Sequence, residues 1–410
     1  MPGTKSRDNI KRLQEEIRRL EASPENARRK SCWKMLPRTA RDQWRGVPHH
    51  DGSWLSGSTA VPVAVDMQPS FWARKFGFSL REYYLDPAVY LENYLRLSVE
   101  RFTLFPDDIF LVRRIPIWIS CGYEGSLFGL RVHFFDDRDP WLDHTPVIND
   151  LSDIDRIGMP QFGPGPTASG MMQDAFRMYE GIRELVDSDF EVLFPEWIRG
   201  PFGVAVYIRG FERLLTDLAE APEDAVRVIS YVTEARKKWY MDLAAYLGTP
   251  VPRGNLFNDE VNCPSLSPSL YRQYILPFEQ DLCRFHNGLH YWHSCGDVTP
   301  LLPAVAEIPE IDLFHTGPWT DVATAAQVFG ARAPLEICMN PQKDVVEATE
   351  EEMAHRIDTL LTACARQGAG GLTFRLSAFS AGNSIEEAQA RAQLWCHTAK
   401  SRVLTYSHRL

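Results

Sequence analysis

The chain is predicted to be an α/β protein: a (β/α)8 TIM barrel with an N-terminal, mainly helical extension. Three observations predict this. In the C-terminal half, short apolar runs alternate with helical patterns, which implies parallel strands joined by right-handed crossovers. No Gly-x-Gly-x-x-Gly turn or Gly-rich Lys loop is present, which disfavours a doubly wound nucleotide-binding sheet. A length of 410 residues suits one large barrel with an extension.

Composition narrows the function classes. With 44% hydrophobic and 24% charged residues the chain can fill a large core, which excludes global disorder. A formal charge of −10 argues against nucleic acid, whose phosphates want a basic surface. No apolar run approaches the roughly 18 residues of a membrane-spanning helix, and the first residues lack the apolar core of a secretory signal. A cytoplasmic protein without a membrane partner is expected. Its 8 scattered cysteines read as thiols, buried or ligating, rather than as a disulfide framework.

Along the chain, residues 5–22 form a charged helix with Ile10, Leu13, Ile17 and Leu20 at 3-4-3 spacing. This stripe serves either as an arm packed on its own barrel or as a homodimer contact. Residues 23–70, rich in Pro, Arg, Trp and Gly, read as an irregular cap, and 71–104 as helix. The expected division is residues 1–104 as arm and cap and 105–410 as barrel. Residues 109–136 switch to a two-residue period (Ile109-Phe110-Leu111-Val112, then Ile115-Pro116-Ile117-Trp118-Ile119) and read as strand. Further strands are expected at 190–194, 255–258, 289–293, 311–314, 335–338 and 372–375, with helices between them. Pro222, Pro268 and Pro300 suit first helical positions. Thr349 with Glu352, and Ser384 with Glu387, have capping-box spacing.

In a barrel the chemistry gathers where strands end. The sharpest local feature is His290-Tyr291-Trp292-His293-Ser294-Cys295-Gly296-Asp297. On an extended backbone His293 and Cys295 point the same way, as two zinc ligands or as a Cys–His nucleophile pair. Asp259 and Glu260 follow another strand, where they can ligate a metal, act as base or cap a loop. His315 and Cys338 each end a strand, the first as a catalytic candidate and the second as a ligand candidate. Tyr123, Glu124, Arg199, Trp319 and Arg375 are the expected substrate contacts, Arg375 through a substrate anion or else in an ordinary salt bridge.

Taken together, several of these segments resemble the uroporphyrinogen decarboxylase superfamily. They are Asp259, Leu266-Ser267-Pro268-Ser269-Leu270-Tyr271, Ile275-Leu276-Pro277-Phe278 and His293-Ser294-Cys295-Gly296 with Pro300-Leu301-Leu302. Arg199-Gly200-Pro201-Phe202-Gly203-Val204-Ala205 is similar to the superfamily's Gly-Pro-Phe stretch, and Glu336-Ile337-Cys338-Met339-Asn340-Pro341 sits at its Gly-Asn-x-Asp-Pro turn. The likeness covers about residues 105–400. The decarboxylase branch holds its tetrapyrrole with an N-terminal Arg-Gln-Ala-Gly-Arg segment that does not occur here. The other branch, the cobalamin-dependent methyltransferases that include those acting on coenzyme M, uses a His-x-Cys-Gly zinc pair that His293 and Cys295 match.

That branch implies Zn2+ and a corrinoid. It also implies a further cysteine before the last helix, where this chain reads Leu376-Ser377-Ala378-Phe379-Ser380. Cys338 is the expected replacement, ahead of Asp259 or Glu260. With no Asp-x-His-x-x-Gly corrinoid motif, cobalamin is expected free or on a separate corrinoid protein. The expected function is zinc-dependent methyl transfer between a small methylated substrate and that carrier. The alternatives are a metal-free decarboxylase or lyase and a non-catalytic ligand- or corrinoid-binding barrel.

Overall fold

A computed structural model of the protein describes residues 4–33, 61–330, 332–369, 371–379 and 384–407. Eight short strands run in parallel: β1 (Val63–Met67), β2 (Arg114–Pro116), β3 (Glu191–Leu193), β4 (Gly254–Phe257), β5 (Leu289–His293), β6 (Ile311–Thr316), β7 (Leu335–Cys338) and β8 (Leu372–Phe379). Six of them form one sheet in the order β1-β8-β7-β6-β5-β4, and β2 pairs with β3. The chain after β3 rejoins β4: Phe257 donates its N–H to the Ile198 carbonyl at 3.0 Å and accepts from Gly200 at 3.0 Å. A small antiparallel pair, Val132–His133 with Trp141–Leu142, lies in the long β2–β3 connection.

The ring closes between β1 and β2 largely through side chains. Asp108 donates its N–H to the Val63 carbonyl at 2.8 Å. Its carboxylate accepts the Val63 N–H, and the Asp107 carboxylate accepts the Val65 N–H, both at 2.9 Å. Both carboxylates are fully buried, so each needs a cation. Asp107 takes Arg29 and Arg101; Asp108 takes Arg28 and Lys400.

The arm is helices α1 (Thr4–Glu21) and α2 (Pro24–Ser31). Ile10, Leu13, Ile17 and Leu20 are buried within the chain, and Ser6 and Asn9 hydrogen-bond Glu92 at 2.6 and 2.9 Å on helix Pro87–Leu104. The stripe is thus covered by the protein's own fold.

Three expectations need correcting. The barrel does not wait for residue 105: β1 sits at Val63–Met67, inside the stretch read as irregular cap. Five residues with one interrupting Asp give too brief a pattern to stand out beside Pro- and Gly-rich sequence. The single helical stretch 71–104 is three helices, Pro69–Phe76, Leu80–Leu85 and Pro87–Leu104. Gly77 ends the first in the left-handed region at φ 73°, and Asp86 caps the third ahead of Pro87. Finally, of residues 109–136 only Arg114–Pro116 joins the barrel. Leu111 spends its backbone N–H and C=O on the Asn26 amide, at 2.7 and 3.0 Å, instead of on a neighbouring strand.

The other elements fall close to expectation. Thr349 and Glu352 form the reciprocal capping box, and Ser384 accepts from the Glu387 N–H at 3.1 Å.

Helix Leu276–Phe285 buries Glu279 completely behind the site. Its carboxyl is met by the Asn258 amide at 3.0 Å and by the Tyr271 hydroxyl and Trp292 indole, both at 2.8 Å, none of them charged. Burial pushes this carboxyl up to about 7, against the two opposing hydrogen bonds. A carboxyl that holds its proton more tightly folded than unfolded stabilises the fold at low pH and loses that contribution as pH rises through its folded value. Between pH 5 and 8 the wild type should lose about 2–3 kcal/mol of unfolding free energy relative to Glu279→Gln, at about 1.4 kcal/mol per pKa unit. Urea titrations of both proteins at the two pH values check this; parallel losses would refute it.

Candidate metal centre

The centre stands at the C-terminal ends of β5 and β6. Along β5, Tyr291, His293 and then Cys295 alternate onto one side, as a two-residue period requires. His315 arrives next door from β6. One ligand atom from each of His293, Cys295 and His315 lies within 4.8 Å of the others. His293 Nε2 is 3.2 Å from Cys295 Sγ, and the two imidazole centroids are 4.0 Å apart. Both imidazoles are buried, whereas Cys295 is exposed. Gly317 permits this packing: a Cβ there would stand 2.5 Å from the Ser294 carbonyl oxygen.

The other ring nitrogens are spoken for. His315 Nδ1 meets the Glu336 carboxylate at 2.8 Å and the Tyr291 hydroxyl at 3.0 Å. Tyr291 also donates to Glu336 and lies 3.3 Å from His293 Nδ1. Arg375 closes the network with one guanidinium nitrogen on Glu336 at 3.3 Å and the other on Asp66 at 2.9 Å. Burial alone would raise Glu336, but Arg375, His315 and Tyr291 bring its carboxyl down to about 2. An anionic Glu336 holds His315 by Nδ1, which leaves Nε2 as the ring's open nitrogen. That Nε2 is buried and has no hydrogen-bond partner among the described residues.

Asp259 joins from the end of β4. Its Oδ1 is 3.2 Å from His293 Nε2 and accepts the Cys295 N–H at 3.1 Å. Burial works against its charge, yet the imidazole, Arg199 and that N–H hold it well below the usual carboxylate range. Glu260 turns away and clamps Arg199 at 2.7 and 2.9 Å.

A buried imidazole nitrogen with no hydrogen-bond partner among the described residues, beside a second imidazole and a thiol, is a donor set that suits zinc. The triad His293, Cys295 and His315 is compatible with zinc. Cys338, expected as the third ligand, lies outside the triad at the end of β7. His315, expected as a catalytic group, lies in the triad.

The expected substrate contacts scatter. Trp319 is 64% exposed on the loop after β6. Arg199 sits under the mouth, held by Glu260 and 3.9 Å from Asp259. Arg375 is buried in the ion-pair network. Glu124 is buried and receives the backbone N–H groups of Ile198 and Arg199 at 2.9 and 3.0 Å, a brace for the chain after β3. Tyr123 is packed in the core, with its hydroxyl on Met172 Sδ and the Trp239 indole. It is not gathered with the others.

Tyr291, Glu336 and Asp66 escaped the sequence reading. Tyr291 shares the period of His293 and Cys295, and Glu336 is an acid inside an apolar strand. Both signals were present.

The uroporphyrinogen decarboxylase (URO-D) family profile matches residues 60–377. The chain belongs to that family. No curated protein sequence matches it at a comparable level. Among solved structures, a methyltransferase from Methanosarcina mazei superposes with a TM-score of 0.58 at 15% identity, over 84% of this chain and 96% of the other. At that identity the likeness bears on the fold, which is the TIM barrel of the URO-D family. No described helix is long and apolar enough to cross a membrane.

Proposed function

We propose that this URO-D family member is a zinc-dependent methyltransferase that moves a methyl group between a small substrate and a corrinoid carrier, free or on a separate protein. The observation that carries the reading is the meeting of His293, Cys295 and His315 at the ends of β5 and β6, with His293 Nε2 3.2 Å from Cys295 Sγ and His315 Nε2 without a hydrogen-bond partner among the described residues. The naming of a fold neighbour as a methyltransferase supports it.

His293, Cys295 and His315 would hold the zinc as its three protein donors. When bound, zinc makes a coordinated thiol deprotonate near neutral pH, or draws charge from the heteroatom that releases a methyl group. Glu336 and Tyr291 fix the ring of His315, so that its open nitrogen keeps one direction. Asp259 takes the Cys295 N–H and so holds the thiol-bearing backbone beside His293. Arg199 keeps Glu260 occupied, which leaves Asp259 as the carboxylate facing the imidazole. The exposed Trp319 stands where an incoming partner would meet the loop after β6.

The test is an anaerobic methyl-transfer assay with zinc-loaded protein and free cobalamin kept in its cobalt(I) form by an added reductant, run against methylated ammonium, thioether, methoxyaromatic and halide donors and followed by the corrinoid absorbance. Transfer from one donor class, lowered by about 100-fold or more in Cys295→Ser as expected for loss of a metal ligand, supports the proposal. Carbon dioxide release from a carboxylic acid by metal-free protein would overturn it.

A further inference from the structure

A cavity of about 340 Å3 lies between β1, β2 and β8 and helices Leu80–Leu85 and Pro87–Leu104. That volume suits a small ligand. Its walls are aromatic: Trp72, Tyr83, Tyr84, Tyr90, Tyr94 and Trp118. Three of the tyrosine hydroxyls are held by acceptors. Tyr90 donates to the Pro116 carbonyl at 2.7 Å, Tyr94 to the Arg114 carbonyl at 3.3 Å, and Tyr84 to Asp139 at 3.1 Å. The Tyr83 and Tyr90 rings stack with centroids 4.7 Å apart, which stiffens the wall.

Two carboxylates, Asp66 and Asp139, share this lining. Asp139 has no ion-pair partner among the described residues. The two guanidiniums nearby are already matched: Arg101 by buried Asp107, and Arg375 by buried Glu336 as well as Asp66. With Asp66 on Arg375 and Asp107 on Arg101 and Arg29, Asp139 is the carboxylate left without a cation in a chamber lined by aromatic rings, surroundings that attract a cation with methyl groups rather than a hydrated metal ion. Asp66 also ties the chamber to the centre, since Arg375 bridges it to Glu336 and thence to His315.

We infer that this chamber binds a small methylated onium, a quaternary ammonium or sulfonium. The inference deepens the methyl-transfer reading by naming the class of methylated substrate, and it rests on that reading for the substrate role alone.

The experiment is calorimetric titration of the full chain, with and without zinc, using choline and its neutral isostere 3,3-dimethylbutan-1-ol. Choline should bind at least about tenfold more tightly, in line with a desolvated cation–π site. Asp139→Asn and Trp118→Leu should each weaken choline several-fold and leave the isostere unchanged. Equal affinity for the two probes, tighter binding of neutral anisole, or no binding of choline would overturn the inference. The wild-type comparison decides even where a variant folds poorly. Choline binding without any methyl transfer would leave the chamber assigned and refute the methyltransferase reading. Transfer from a neutral donor, with no choline binding, would do the reverse.

Discussion

Zinc-loaded wild-type protein dialysed against a mild chelator should retain one equivalent of zinc, and Cys295→Ala and His315→Ala should each retain almost none. Removing a directly ligating thiolate or imidazole takes away one of three protein donors, and even the groups behind such ligands cost 10–100-fold in affinity, so a loss beyond about 100-fold is expected for the ligands themselves. Cys338→Ala is the informative control, because its sulfur lies outside the triad and its affinity should match the wild type. Metal content by atomic emission, together with competition against a chromophoric chelator, reads all three. A large drop in Cys338→Ala with none in His315→Ala would restore the cysteine as third ligand and refute the triad.

The second large effect concerns Glu336. It is a fully buried anion between Arg375, His315 and Tyr291. Glu336→Ala should destabilise the fold by about 3–5 kcal/mol, the usual cost of leaving one partner of a buried ion pair behind. It should also weaken zinc about 10–100-fold by freeing the ring of His315. The double variant Glu336→Leu with Arg375→Met separates the two roles. Without either charge the core should recover most of its stability, while His315 still lacks its anchor and zinc stays weak. Urea unfolding and metal competition on the same preparations measure this. Recovery of zinc affinity in the double variant would show that Glu336 does not orient the ligand.

Much of the barrel could be read in advance because β4 to β8 are apolar runs separated by well-capped helices. β3 forms inside the expected 190–194 and β2 inside the broader 109–136, but β1 at Val63–Met67 was not anticipated. β2 and β3 are three residues each, and their segments hydrogen-bond with side chains such as Asn26 and Glu124 that no local pattern announces. At the centre, His293 and Cys295 were legible from their spacing on one strand. His315 was visible as a residue, but its role was not, since its partner nitrogen and its neighbours come from β5 and β7. Ligand sets that cross strands depend on register, and register is a tertiary quantity. Cys338 is the sequence's choice for the third position because its sulfur would restore the family's ligand set, whereas the group that the fold brings together with His293 and Cys295 is the His315 imidazole.

The seam between β1 and β2 has a consequence for how the molecule assembles. Asp108 is held from one side by Arg28 near the start of the chain and from the other by Lys400, 292 positions later. β1 itself finds its ladder partner only in β8. That seam draws on residues far apart in sequence, and such contacts close slowly; without the final helix it would keep Arg28 and the Val63 bonds and lose Lys400, so the helix is a second clasp on a joint that the arm already holds.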